Sequence, residues 1–234
     1  MATAWADIVT AALVQIDDVR LEEQMAISPA QFYRRMSEII LQAMPLLSRP
    51  PELLGYLKRG MVLPQYGDYE WTSTAGSVIT ETSVETGMVG YDLCSVTQRV
   101  QAPNGTISLV PYSGAAYDHD FGTVTMPEQD AEGLQYDFDF YTDGAFPDLT
   151  ETQMRLFALA VAVVWDERFS RTWISMTPKI SDESFKVVNE ANYAEKITRR
   201  KTENRIAFDH EMRAYEQLCA YNGVVNYNNH TSLT

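Results

Sequence analysis

Apolar side chains at Trp5, Ile8, Val9, Ala12, Leu13, Ile16 and Val19 recur at the three-and-four spacing of a helix with one buried stripe. They predict a helix over about residues 4–24. Ser28-Pro29-Ala30-Gln31 then offers an N-cap hydroxyl, a proline at the first helical position and a glutamine placed to close a capping box. The periodic set Phe32, Met36, Ile39, Ile40 and Ala43 carries that second helix to about residue 44. Pro45, Pro50 and Pro51 end the pattern, leaving room for one short helix around Glu52 to Lys58.

From about residue 66 the period changes. Short runs of Thr, Val, Tyr and Ser, separated by glycine, read as strands: YEWTST, SVITETSV, YDLCSVTQRV, TISLVPY, GTVTM and LQYDFDFYT. Asn104-Gly105 between two of them is a strong hairpin signal. In Tyr136-Asp137-Phe138-Asp139-Phe140 aromatic and acidic residues alternate, so the rings face one side of a strand and the carboxylates the other.

Helical spacing returns at Thr150, where Thr150-Glu151-Thr152-Gln153 forms a second capping-box pattern. LFALAVAVVW is apolar all round and predicts a central, buried helix. The pattern stops near Pro178. A long helix is expected over about 188–222, with Tyr193, Ile197, Phe208, Met212, Tyr215, Leu218 and Cys219 on its stripe and Asn222-Gly223 as its C-cap. Its stretch from Ile197 to Arg205 is basic and poorly apolar, and is expected to project.

The order helical, β, helical predicts an α+β fold: a helical domain built from 1–65 and 149–223, an inserted antiparallel β unit over 66–148, and a C-terminal arm over 224–234.

Composition supports a packed core, with 45% hydrophobic and 11% aromatic residues. The charge is what alters the picture. The chain carries a net −14. Residues 66–148 hold 14 acidic residues and 1 base, Arg99, while the flanking segments are close to neutral. Affinity for phosphates comes mostly from Lys and Arg, so a protein that grips nucleic acid is not expected.

Cys94 and Cys219 stand alone, with no CxxC, and read as reduced thiols in a cytoplasmic setting. The N-terminal stretch has no basic n-region and carries Asp7, Asp17 and Asp18, unlike a signal peptide. The longest apolar run, Leu156 to Trp165, is half the roughly 20 residues that span a bilayer, so no membrane association is expected. The glycosylation sequons at Asn104 and Asn229 then read as chance matches.

Signals for catalysis are sparse. His119, His210 and His230 fall in no ligand spacing, and neither a GxSxG elbow nor a P-loop nor a dinucleotide fingerprint occurs. No enzyme and no cofactor is expected. Asp118-His119-Asp120 invites a metal reading, but alternation along a strand would turn His119 away from both carboxylates. Glu128, Asp130 and Glu132 offer oxygen ligands without the spacing of a calcium loop. Arg199, Arg200, Lys201 and Arg205 form the basic cluster of the C-terminal region. They spread around a helix rather than forming one stripe, and suit contact with a neighbouring subunit's acidic block.

The stretch GTVTMPEQDAEGLQYDFDFYTDGAFPDLTETQMRLFALAVAVVW, residues 122–165, with the helical, β, helical order around it, resembles the head-to-tail adaptor proteins of tailed bacteriophages. That resemblance implies a structural ring, twelve-fold in this group, in the neck of a virion assembled in the host cytoplasm. Such a ring joins the portal protein to the tail or a second neck protein, and duplex DNA passes along its axis without specific binding. It also implies portal docking through helix ends or a C-terminal arm, for which Val224, Val225 and Tyr227 are the candidates here. Asp118, Asp120, Glu128, Asp130, Glu132, Asp137 and Asp139 would face the channel or solvent, where a negative wall keeps phosphates from being held.

Two other readings compete. One is a different virion component, such as a tail terminator or baseplate protein. The other is an enzyme or carbohydrate-binding module using the β unit, which would need exposed aromatics; Trp71, Tyr112 and Tyr117 are the candidates.

Overall fold

The computed structural model describes residues 2–16, 21, 25, 29–103, 105–176 and 184–231, with side chains in the two C-terminal helices described over 151–168, 195–196 and 198–222. The fold mixes helices with antiparallel sheets, as the α+β reading expected. It divides into two compact units: Met1–Asp18 with Met36–Val62 and Ala145–Thr234, and Val19–Arg35 with Leu63–Gly144. The boundary at residues 35 and 36 falls inside a helix, so the start of that helix is grouped with the strands and not with the helical segments.

The first unit begins with strand β1 (Thr3–Ala4), which pairs antiparallel with β9 (Ala145–Phe146) and so ties residues far apart in sequence. Helix α1 (Trp5–Ile16) follows directly, its first turn closed by Asp7, whose carboxylate accepts from the Ala4 amide at 3.3 Å. Trp5 stacks on Phe146 at 4.8 Å, and Phe146 meets Phe157 edge-on at 5.1 Å. After a 3₁₀ turn, Met44–Leu47, comes the short helix α3 (Pro51–Arg59), one residue longer at each end than the spacing predicted.

Helix α4 (Glu151–Met176) starts with the expected capping box. The Thr150 amide donates to Gln153 Oε1 at 2.9 Å, and the Gln153 amide donates to Thr150 Oγ1 at 3.3 Å. Leu156 to Val163 are all buried, so this helix is enclosed on every side, as its apolar composition required. It packs on α1 and on helix α5 (Ser184–Thr231).

Helix α5 departs from expectation twice. Its backbone passes through Asn222-Gly223 and continues to Thr231, so these residues do not cap it and 224–231 extend the helix. Nor does the basic stretch simply project, because Arg200 and Asn204 turn onto α4, as described below. The apolar stripe is real at Phe208 and Met212, which are buried, but Leu218 is 50% exposed.

The second unit is a pair of packed antiparallel sheets. One has the order β2 (Gln65–Thr72), β8 (Gln135–Thr142), β4 (Asp92–Gln101), β5 (Ile107–Pro111); the other has β3 (Thr82–Glu85), β7 (Thr123–Met126), β6 (Ala116–Asp118). Val96, Tyr136, Phe138 and Phe140 from the first meet Val84, Val124 and Met126 from the second in one buried cluster. Helix α2 (Pro29–Ala43) contributes Tyr33, which stacks on Tyr141 at 5.0 Å, and Arg34, over the Tyr66 ring at 5.1 Å.

SVITETSV is the one expected strand that splits. Thr74 closes a capping box with Ser77 and starts a 3₁₀ turn over Ala75–Val78, so only Thr82–Glu85 is left to pair. The expected hairpin forms between β4 and β5, with Gly105 at φ +83° supplying the left-handed turn position.

Candidate functional site

The alternation in β8 puts Tyr136, Phe138 and Phe140 in the core and Asp137 and Asp139 on the outer face of the four-stranded sheet. On that face Asp139 lies directly opposite Asp68 of β2, and Asp137 opposite Glu70. Like charges facing each other across strands are unfavourable unless neutralised. Arg99 neutralises the Asp137–Glu70 pair: its Nε donates to Asp137 Oδ2 at 2.8 Å, its Nη2 to Asp137 Oδ1 at 2.7 Å, and the same Nη2 to Glu70. These hydrogen bonds hold the guanidinium protonated more firmly than usual. Asp139 accepts from Ser95 Oγ at 2.7 Å.

The other acidic candidates sit on turns. Asp118 ends β6 and is a turn cap, because its Oδ1 accepts from the Asp120 amide at 3.0 Å and the Phe121 amide at 3.3 Å. Its neighbour His119 has Nδ1 3.6 Å from Asp120 Oδ1, with both side chains largely exposed. Asp118-His119-Asp120 is therefore a solvated corner rather than a strand. Glu128, Asp130 and Glu132 are exposed around buried Gln129, which holds the loop: its amide donates to Ser77 O at 2.8 Å, its Nε2 to Pro127 O at 2.6 Å, and its Oε1 accepts from Tyr136. The seven acidic candidates thus fall into three places, and the described residues contain no group of three or more His, Cys, Asp or Glu able to hold a metal ion.

Cys94 lies where the β4–β8 register shifts between Leu93 and Ser95. Burial, then the nearby charges of Asp139 and Asp92, push its thiol up to about 11. It is a poor nucleophile at neutral pH. Trp71 and Tyr112 pack on Tyr136 at 5.6 and 5.1 Å, and Tyr117 lies against Phe140 at 5.3 Å, so these three aromatics serve the core.

The basic cluster is divided by its helix. Arg199 pairs with Glu203 at 2.8 Å and Arg205 with Asp209 at 3.5 Å, both one turn along α5. Arg200 instead reaches Asp166 of α4, its Nε at 3.0 Å and Nη2 at 2.7 Å from Oδ1, while Asn204 Nδ2 donates to Oδ2 at 2.8 Å and contacts Gln15 O at 3.4 Å. Asp166 is 0% exposed. The expectation that Arg200 serves a neighbouring subunit is corrected: a buried carboxylate in its own chain holds it, since an unpaired charge there would be very costly. Lys201 is half-buried on the same helix.

Val224, Val225 and Tyr227 lie on the backbone of α5, beyond a cleft of about 640 Å³ lined by Leu53, Tyr56, Gln153, Tyr215, Cys219 and Asn222. Gln153 Nε2 donates to the Tyr215 hydroxyl at 2.9 Å across this cleft. The side chains of Val224, Val225 and Tyr227 fall outside the described residues. No helix among the described residues is long and apolar enough to cross a membrane.

Sequence reasoning missed the Asp166, Arg200 and Asn204 set, and it read β5 as a strand without foreseeing its exposure at a sheet edge. Asp166 did carry a signal: it follows directly on LFALAVAVVW in a helix read as enclosed, where a carboxylate demands a partner. No protein-family model, no curated protein and no solved structure matches this chain.

Proposed function

We propose that this chain is a structural adaptor of a bacteriophage neck, an oligomeric ring, twelve-fold by the resemblance, that joins a portal to a tail and surrounds the DNA exit channel. The reading takes the β unit as an insertion in a helical domain formed from both ends of the chain. The observation that carries it is the segregation of charge. Carboxylates Asp68, Glu70, Asp137 and Asp139 line one sheet face with Arg99 as the base among them, while the helical segments are close to neutral in sequence.

A wall of this kind lets duplex DNA pass without ion pairing. Asp118, Asp120, Glu128, Asp130 and Glu132 extend the negative surface toward the channel or solvent. The helical segments carry assembly, with Arg199 and Arg205 exchanging their weak, solvent-screened same-helix partners for a neighbour's carboxylates. Val224, Val225 and Tyr227, on the last turns of α5, dock to the portal. The packing of Trp71, Tyr112 and Tyr117 into the core weighs against a carbohydrate-binding module.

The test is native mass spectrometry of the chain alone and mixed with a phage portal protein. The expected result is a closed complex of fixed stoichiometry that weakens on truncation before Val224. A chain that ignores the portal at every concentration and salt overturns the reading.

A further inference from the structure

Strand β5 is unlike the rest of its unit. It is the edge of the four-stranded sheet, and all five of its residues are exposed. Ile107 is 62% exposed, Leu109 56% and Val110 43%, with Val100 beside them at 41%. The β4 register puts Ile107 and Leu109 on the face of Arg99 and the carboxylates, and Val110 and Val100 on the opposite face. The strand is therefore apolar on both sides. From Val100 to Tyr117 the chain has no Asp, Glu, Lys or Arg, although the surrounding block holds 14 acidic residues. Edge strands are ordinarily protected by charge. The opposite edge, β2, obeys this with exposed Asp68 and Glu70.

The backbone of β5 is equally specific. The Tyr112 amide donates to Val96 O and the Ala102 amide to Thr106 O, each at 2.8 Å. In the ladder between them Gln98–Val110 and Val100–Ser108 are the hydrogen-bonded pairs, so the N–H and C=O of Ile107 and Leu109 point away from β4. Pro111, next in that outward series, has no N–H to offer.

We propose that β5 pairs with β5 of a second copy of this chain, antiparallel, about a two-fold axis at Ser108. In that register Ile107 faces Leu109 of the second copy and the reverse, and their four outward backbone groups on each side form four hydrogen bonds. Moving the axis to Leu109 would oppose Ile107 to Pro111 and lose donors. The apolar side chains then form one patch on each face of the joined sheet.

Charge selects the occupant. Two acidic units repel wherever carboxylates meet, and the uncharged stretch from Val100 to Tyr117 is where the copies approach without that cost. A basic partner would be drawn to the Asp68 and Glu70 side instead. The contact is isologous, joins two subunits, and does not rest on the ring reading. Portal binding tests that reading separately.

Sedimentation of the full chain over a concentration series tests the pairing. The intact protein should show a monomer–dimer equilibrium, and Ile107→Lys with Leu109→Lys should weaken it at least about tenfold, with an unchanged circular dichroism spectrum. Cross-linking gives the register. In a background of Cys94→Ser and Cys219→Ser, Ser108→Cys should form a disulfide dimer on mild oxidation, because non-hydrogen-bonded strand neighbours lie about 4.5 Å apart at Cα, within disulfide range. Ser113→Cys, exposed but off the axis, should not. A protein that stays monomeric, an assembly indifferent to the two lysines, or equal cross-linking at 108 and 113 overturns the proposal.

Discussion

The two units treat charge in opposite ways. In the helical unit one carboxylate, Asp166, is fully buried and held by the fork of Arg200 and the amide of Asn204. Among the described residues of the β unit the buried polar side chains are Ser73, Ser77, Thr86 and Gln129, which are neutral, and the carboxylates stay half-buried or exposed. A buried pair contributes little net stability but requires its partner, so it specifies how α4 and α5 meet. A surface row of carboxylates costs local repulsion and provides a field felt beyond contact distance. One unit uses charge as a fastener, the other as a coating.

The sharpest way to break that contrast is Asp166→Ala. It removes the carboxylate that Arg200 grips, where that side chain is 17% exposed, and should cost about 3–5 kcal/mol. Replacing both partners with apolar residues, Asp166→Leu with Arg200→Met, should cost clearly less than either single change. Urea denaturation measures Asp166→Ala, the two other single variants and the double. If Asp166→Ala costs under about 1 kcal/mol, the charge is not fastening the helices, whatever the geometry.

What could be read from the chain follows the same division between local and distant causes. The capping box of Thr150 and Gln153, the buried run from Leu156 and the alternation in β8 are written in neighbouring residues and are found where expected. The pairing of Asp166 with Arg200 spans 34 positions and depends on how two helices pack, so Arg200 looked like part of a basic surface cluster. Gly223 suggested a helix end, yet local propensity for a cap costs only about 1 kcal/mol to override. The strands β1, β6 and β9 have two or three residues each, too few to show a period. Val100 to Tyr117 was legible as a hairpin, but its place at a sheet edge is a property of the order β2-β8-β4-β5 and not of its own residues.

Arg99→Gln addresses the coating. It removes the base shared by Asp137 and Glu70, leaving these two carboxylates facing each other across the strands, one pair along that face from Asp139 and Asp68. The variant should melt lower than the parent at low ionic strength. The deficit should shrink in about 1 M salt, where the screening length is about 3 Å. Asp166→Ala should keep its deficit in salt, because buried pairs are screened much less. A salt-independent loss for Arg99→Gln would mean that its aliphatic stem, and not its charge, is what the sheet needs.

The smallest effect separates the units through their two cysteines. Cys94, at the register shift in β4, is pushed up to about 11 by burial first and by Asp139 and Asp92 after it. The thiolate is the reactive species, so raising the pKa lowers the reactive fraction at any pH below it, to about one in a thousand at pH 8. In the folded protein, alkylation of Cys94 should therefore be slow at pH 8 and should accelerate steadily as pH rises toward 11, with Cys219→Ser used to isolate it. Cys94→Ser reports on Cys219, which lies on α5 beside the cleft at Tyr56 and Tyr215. Asp139→Asn should bring the Cys94 profile to lower pH, because it removes the larger of the two charge effects while the burial remains. If Cys94 titrates near an unperturbed thiol and ignores Asp139→Asn, the acidic coating does not reach even its nearest neighbour, and the contrast between the units fails at its closest range.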